Sequence, residues 1–284
     1  MVDGLSGGIK VSGVQDEDHC MNTNNGDTGG VDAQVPALEA RNVQLAWGDE
    51  LIASDISLHV EQGEIVCLVG RSGCGKTTLF HALAGLTVPP AGEILLHGEN
   101  ITGQAGHVSY MLQKDLLLPS RTIIDNVCLP LLVQGMSKRE AHRRAKPLFE
   151  QFGLAGTEQA WPSQLSGGMR QRAALLRTYL MNNDVILLDE PFSALDALTR
   201  TDMRGWFCGI VKDLGLSTLV VTHDVDEAVS MAQRIYVMRG NPTAGEPSKL
   251  VGEIAVPRPS QNSERFDLTV EYLTCKRQTL DLLG

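Results

Sequence analysis

A glycine-rich run at residues 70–77, GRSGCGKT, has the composition of a phosphate-binding loop. It fits the spacing GxxxxGK(S/T), in which glycines let successive backbone N–H groups turn toward phosphate oxygens. Lys76 would add a positive charge at the β- and γ-phosphates, and the Thr77 hydroxyl would ligate magnesium. A glycine-rich turn with an exposed lysine is the alternative interpretation, but a loop between an apolar strand and a helix favours nucleotide binding. The predicted nucleotide contacts are Gly70, Ser72, Gly73, Cys74, Gly75, Lys76, Thr77 and Thr78.

Two carboxylates follow the apolar run Val185–Leu188. A magnesium-binding aspartate is needed where a strand ends beside a phosphate loop, and Asp189 fits that position. Glu190 would then face the γ-phosphate and polarise the attacking water. Taken alone, the pair would be better interpreted as the solvated acidic end of a strand. With the phosphate loop, it predicts nucleotide hydrolysis.

A second anion site is predicted at Leu165–Met169, with the sequence LSGGM. Ser166 can cap the helix that follows, and the glycines expose its first N–H groups, which bind anions with the help of the helix dipole. An ordinary serine-capped helix is the alternative. We expect that this site does not close on the phosphate loop of its own chain. The active unit is therefore predicted to be a pair of chains.

The elements around these motifs predict an α/β core. The apolar run Ile65–Val69 is predicted to be a strand that leads into the phosphate loop. A helix is expected from about Lys76 to Ala84. Further buried strands are predicted at 185–188, 218–221 and 234–238, and this alternation favours a largely parallel sheet. The predicted domains are a disordered acidic tail (1–35), a nucleotide-binding domain (36–240) with a helical insertion at about 116–181, and a short strand and helix (241–284). Pro147 is expected to split a helix of the insertion.

Composition narrows the class of protein. The chain has 284 residues, of which 43% are hydrophobic, enough for a sizeable core. Its formal net charge of -10 argues against sequence-blind nucleic-acid binding. No apolar run approaches the roughly 20 residues that span a bilayer. The six cysteines are scattered, which is typical of a reduced cytosolic protein. Cys74 is the cysteine whose oxidation could block nucleotide binding.

With Gln113 and His223, these motifs resemble the ATP-binding cassette of ABC transporters, over about residues 38–238. The resemblance implies a P-loop NTPase fold with a RecA-like core, a small antiparallel β subdomain and a helical insertion. It also implies ATP and Mg²⁺ as cofactors and a head-to-tail dimer. In that dimer the LSGGMRQ motif of one copy grips the γ-phosphate of ATP bound to Lys76 of the other. The motif residues assigned to this contact are Ser166, Gly167, Gly168 and Gln171.

The same resemblance implies roles for single residues outside the phosphate motifs. Gln113 is expected to contact magnesium and the attacking water, and His223 to sense the γ-phosphate. The loop Ser193–Asp196 is expected to cross the dimer interface. Trp47 is expected to stack on adenine, although a partly buried core tryptophan is the alternative. Without the resemblance, Gln113 would be an unremarkable polar residue and His223 a structural histidine.

The predicted function is the ATPase subunit of an importer, peripheral at the cytoplasmic face of the cell membrane. Its partners would be a second such subunit, most simply an identical one, a transmembrane permease and, indirectly, a solute-binding protein, with no nucleic acid. Leu116–Leu118, with Arg121, is the predicted permease contact. The stretches Ser109–Asp115, Leu165–Arg172 and Asp189–Asp196 resemble nitrate, sulfonate and taurine importer ATPases, some linked to the thiamine precursor hydroxymethylpyrimidine.

Two other functions are weighed against this one. A soluble ABC ATPase acting on ribosomes or DNA would carry a long coiled-coil insert or two cassettes, and the sequence shows neither. A module that binds ATP but hardly hydrolyses it is disfavoured by the presence of Glu190 and His223.

Overall fold

The computed structural model describes residues 35–258 and 266–284, so the predicted tail at 1–35 lies, except for Val35, outside the described residues. The strands are β1 (Leu38–Trp47), β2 (Glu50–Val60), β3 (Ile65–Gly70), β4 (Ala91–Leu96), β5 (Glu99–Asn100), β6 (Ser109–Met111), β7 (Val185–Asp189), β8 (Ser217–Thr222), β9 (Arg234–Asn241) and β10 (Glu246–Ala255). The helices are α1 (Lys76–Leu83), α2 (Ile123–Val127), α3 (Leu129–Val133), α4 (Lys138–Ala145), α5 (Leu148–Gln151), α6 (Gly167–Tyr179), α7 (Ala197–Leu214), α8 (Val225–Met231) and α9 (Val270–Leu283).

The described strands form a sheet in the order β5-β4-β1-β2-β10-β9-β3-β8-β7-β6. Strands β1, β2, β4 and β5 pair antiparallel, whereas β9, β3, β8, β7 and β6 are parallel neighbours. Strand β10 joins the two parts, since it pairs antiparallel with β9 and parallel with β2. The predicted α/β class, with a parallel core and a small antiparallel part, is confirmed.

The central parallel strands are mostly apolar, as expected for strands that helices cover on both faces. Every residue of β3, β7 and β8 is buried. Alternate side chains of β3 enter different cores: Ile65, Cys67 and Val69 pack in one cluster, and Val66 and Leu68 pack in the other. Because parallel strands run in one direction, the residues that follow β3, β7 and β8 meet at one edge of the sheet.

The helices α2 to α6 fall in the range predicted to be helical. Pro147 lies between α4 and α5 and separates them, as predicted, because proline lacks the N–H that would continue the helix. Ser137 caps α4 by accepting a hydrogen bond from the Glu140 N–H at 3.3 Å.

The predicted strand and helix at the end of the chain are β10 and α9. Helix α9 packs on α8, β9 and β10. Gly252 permits this packing, because a Cβ there would lie 2.4 Å from Leu282 Cδ1. Among the described helices, none combines the length and apolar character that a membrane crossing requires.

Candidate functional site

The phosphate loop joins β3 to α1 and depends on its glycines. Gly73 and Gly75 have φ values of +82° and +97°, a region that side chains with a Cβ rarely adopt. A Cβ on Gly75 would also lie 2.7 Å from Ile52 Cγ2, and one on Gly70 would lie 2.6 Å from the Met238 carbonyl oxygen. The loop is therefore a tight cradle that excludes larger residues at these positions.

Lys76 begins α1 and is held inside this cradle. Its Nζ donates hydrogen bonds to the carbonyl oxygens of Gly70 at 2.8 Å and Arg71 at 2.9 Å. The residue is 6% exposed, so its charge lies in a partly desolvated position where an anion is attracted more strongly than in water.

Asp189 ends β7 beside α1, as its predicted magnesium role requires. The Thr77 hydroxyl donates to Asp189 Oδ2 at 3.0 Å, and the Tyr110 hydroxyl lies 3.4 Å from the same oxygen. Burial raises the pKa of Asp189, and the hydrogen bond from Thr77 opposes that effect. Tyr110 was not among the predicted residues, since a tyrosine on a short strand carries no motif.

Glu190 contacts two of the other predicted catalytic residues, one on each carboxylate oxygen. Gln113 Nε2 donates to Glu190 Oε2 at 2.9 Å, and His223 Nδ1 lies 3.1 Å from Glu190 Oε1. The Glu190 backbone has a φ of +46° and its N–H donates to the Val221 carbonyl at 2.9 Å. Such a conformation costs about 1–3 kcal/mol and is typical of functional positions.

Lys76, Thr77 and the three predicted catalytic residues line one open cavity of about 460 Å³, and Asp189 lies behind Thr77, outside the lining. The cavity contains most of the predicted nucleotide residues and, in addition, four residues that were not predicted. Its lining residues are Glu50, Ile52, Ser72, Gly73, Gly75, Lys76, Thr77, Thr78, Gln113, Glu190, His223, Pro242 and Thr243.

The LSGGM motif lies elsewhere on the chain. Ser166 caps α6 by accepting from the Met169 N–H at 3.3 Å, and the motif residues do not belong to the lining of this cavity. Gln171 is 5% exposed and lines a small, mostly apolar cavity with Leu188 and Met203. The structure thus does not bring Ser166, Gly167, Gly168 or Gln171 to the phosphate loop of the same chain, and their roles stay predictions.

Trp47 is exposed beside the cavity. Its side chain is 75% exposed, and it pairs across β1 and β2 with Glu50, a lining residue. We expect Trp47→Ala to weaken ATP binding by about 1–3 kcal/mol, the worth of base stacking on an aromatic ring. The Kd for ATP should rise equally with and without Mg²⁺, and Trp47→Phe should restore most of the affinity. An unchanged Kd in Trp47→Ala would exclude stacking.

Cys74 lies in the loop, but its thiol is poorly suited to oxidation. The residue is 1% exposed, and burial raises the pKa of the thiol. Less of the reactive thiolate is therefore present at neutral pH. We expect mild peroxide to leave the ATPase rate unchanged. A loss of rate in the wild type that is absent from Cys74→Ser would show that Cys74 is a redox-sensitive site.

Comparison with known proteins agrees with this geometry. The family model described as "ABC transporter" matches residues 53–193. The formylaminopyrimidine import ATP-binding protein ThiZ of Halalkalibacterium halodurans is 44% identical over 190 residues, 67% of this chain and 74% of that protein. The aliphatic sulfonates import ATP-binding protein SsuB 2 of Burkholderia cenocepacia is 41% identical over 207 residues, 73% of this chain and 75% of that protein.

A solved structure is similar to this chain as well. The dimeric, post-hydrolysis ATP-binding cassette MJ0796, bound to ADP and Pi, is 26% identical. The alignment covers 78% of this chain and 99% of that one, with a TM-score of 0.65.

Proposed function

The chain belongs to the ABC transporter family of ATP-hydrolysing proteins, and on that premise we propose that it is the ATPase subunit of an importer. In this role it hydrolyses ATP at the cytoplasmic face of the membrane and drives a separate permease for a small solute. The observation that carries the proposal is the contact of Glu190 with both Gln113 and His223, in the cavity that the phosphate loop also lines. The import function of both curated relatives supports transport over action on ribosomes or DNA.

The residues at the cavity fit a magnesium ion. Mg²⁺ prefers oxygen ligands, and it is usually held by one or two protein oxygens together with substrate phosphates and water. The Thr77 hydroxyl and the Asp189 carboxylate, 3.0 Å apart, would provide such a pair, and the Gln113 amide oxygen would be a further ligand. In the described part of the chain, no cluster of three or more His, Cys, Asp or Glu is arranged to hold a metal, consistent with a site that the nucleotide completes. The ion would neutralise phosphate charge during hydrolysis.

Glu190 is proposed to act as the general base. Its carboxylate is held by Gln113 on one oxygen and His223 on the other, which fixes its direction toward the cavity. From there it can accept a proton from the attacking water while Lys76 stabilises the negative charge of the phosphates. His223, 56% exposed by its side chain, remains accessible to the γ-phosphate.

The active unit is proposed to be a head-to-tail dimer. The location of Ser166 and the glycines that follow it, outside the cavity that Lys76 lines, supports a site completed by a second copy. The N-terminus of α6 offers free N–H groups and the positive end of a helix dipole to the partner's γ-phosphate. The dimeric state of the similar cassette supports the same arrangement.

The permease contact is proposed at the leucines after Gln113, with one adjustment. Leu116 and Leu118 are 52% and 40% exposed, whereas Leu117 is 8% exposed and packs in the core. The contact would therefore use Leu116, Leu118 and the exposed Arg121. The names of the relatives favour a small organic solute, such as a formylaminopyrimidine or a sulfonate, as the cargo.

Gentle detergent extraction of membranes tests this function. A tagged chain should co-purify with a polytopic membrane protein, and a Leu116→Glu, Leu118→Glu variant should lose that partner while keeping its ATPase activity. Recovery of ribosomes or DNA instead of a membrane protein would contradict the proposal.

A further inference from the structure

Arg200, in the first turn of α7, contacts the loops on either side of the site. Its Nη2 donates to the Leu195 carbonyl oxygen at 2.9 Å, within the loop Ser193–Asp196. Its Nη1 donates to Asp224 Oδ2 at 3.4 Å, and its Nε lies 3.5 Å from Glu227 Oε1. One guanidinium therefore joins the predicted interface loop to the segment that carries His223.

Both residues next to His223 are tied to the acidic residues that Arg200 contacts. The Thr222 hydroxyl donates to Glu227 Oε2 at 2.6 Å and accepts from the Asp224 N–H at 3.0 Å. Glu227 is 2% exposed, so its charge depends on a nearby cation for compensation. The backbone before and after His223 is thus fixed through groups that pair with Arg200.

The contacts of Arg200, Leu195, Asp224 and Glu227, together called the network, also extend to the LSGGM motif. A Cβ on Gly167 would lie 3.3 Å from Leu195 Cδ2, and one on Gly168 would lie 3.1 Å from Thr199 Cγ2. The start of α6 therefore packs directly on Leu195 and on the turn before Arg200. A displacement of the motif by the partner's nucleotide would be transmitted to the carbonyl that Arg200 holds.

The network also has an unused donor. Arg200 Nε is buried and makes no hydrogen bond with any described residue. Buried donors are nearly always paired, and the acceptor beside this one, Glu227 Oε1, lies 3.5 Å away. A small shift of the guanidinium toward Glu227 would make that bond.

We propose that Arg200 is a positioning residue that couples the loop Ser193–Asp196 to His223. Contact of the LSGGM motif with the partner's ATP then orients His223 for hydrolysis in the ATP site of its own chain. The inference rests on the proposed role of His223. It predicts an effect of Arg200 on turnover rather than on ATP affinity, because Arg200 does not belong to the cavity lining.

The test compares Arg200→Ala and Arg200→Lys with His223→Ala and the Arg200→Ala, His223→Ala double variant. We expect Arg200→Ala to lower kcat about tenfold or more with the KM for ATP little changed. Its Tm should also fall, because the buried Glu227 loses a paired cation. Arg200→Lys should recover part of both losses because it keeps the charge. The double variant should match His223→Ala alone, since a residue that acts through His223 has no further effect once His223 is gone. Arg204→Ala is the matched control: Arg204 lies one turn later and donates to Thr201, and its variant should keep wild-type kcat.

Wild-type kcat in Arg200→Ala and Arg200→Lys, with an impaired His223→Ala, would overturn the inference alone. Equal losses from Arg200→Ala with and without His223, or an equal loss in Arg204→Ala, would also overturn it, because these indicate a general structural effect. Wild-type kcat in His223→Ala would overturn the inference together with the assigned role of His223.

Discussion

Replacement of Glu190 by glutamine is expected to lower the kcat for ATP hydrolysis by roughly 100- to 10,000-fold, the usual worth of general-base catalysis. Glutamine keeps the size of the side chain, but its amide cannot accept a proton from the attacking water. ATP binding should persist, because the predicted phosphate contacts come from the loop and Lys76, which line the cavity. The comparison requires kcat from steady-state hydrolysis and the Kd for ATP from calorimetry.

The control for this variant is Glu50→Gln. Glu50 lines the same cavity and carries the same charge, but it belongs to β2, on the antiparallel part of the sheet. We expect its kcat to stay within a few-fold of wild type. A Glu190→Gln protein with normal turnover would remove Glu190 from its catalytic role.

Lys76→Ala is expected to weaken ATP binding by about 1.5–3 kcal/mol, or roughly 10- to 150-fold in Kd. The Lys76 ammonium is the buried cation of the cradle, and its loss leaves the β- and γ-phosphates without a charged donor. Direct titration with ATP measures the change, and turnover should be lost with it.

Arg71→Ala is the matched control within the same loop. The Arg71→Ala substitution removes an equal charge. The Arg71 side chain, however, donates to the Gly284 carbonyl at the end of α9 and lies outside the lining of the ATP cavity. Its Kd for ATP should change little. Equal losses in both variants would mean that net charge, rather than the position of Lys76, attracts the nucleotide.

The phosphate loop and the acidic strand end could be predicted because their chemistry is encoded locally. GRSGCGKT contains the glycines, the lysine and the threonine at fixed spacing, and the apolar run before Asp189 marks a buried strand. The element pattern also predicted the parallel core, since β3, β7 and β8 each contain a continuous apolar run of at least three residues.

The cavity wall opposite the loop could not be predicted in the same way. Glu50 and Ile52 lie on β2, and Pro242 and Thr243 follow β9. They reach the phosphate loop because β10 joins the antiparallel strands to β9, and no short motif records that long-range pairing. The positive φ of Glu190 is likewise a property of the folded chain rather than of residue type.

Helix periodicity indicates which face of α6 Gln171 occupies. Gly168, Gln171 and Leu175 are spaced i, i+3 and i+7 on α6, and all three are buried. That spacing places Gln171 on the face of α6 that packs inward. Its contact with nucleotide, which the motif predicts, stays a prediction.

Mixing two inactive variants tests most directly whether each ATP is held between two copies. Lys76→Ala destroys the phosphate grip of its own chain, and Ser166→Arg blocks the motif that serves the partner. A mixed dimer holds one intact site, made of Lys76 from one copy and Ser166 from the other. We therefore predict that ATPase activity, absent from each variant alone, returns on mixing. No recovery in a mixture shown by mass to contain mixed dimers would contradict the account. Full activity in a monomeric Ser166→Arg chain would also contradict it.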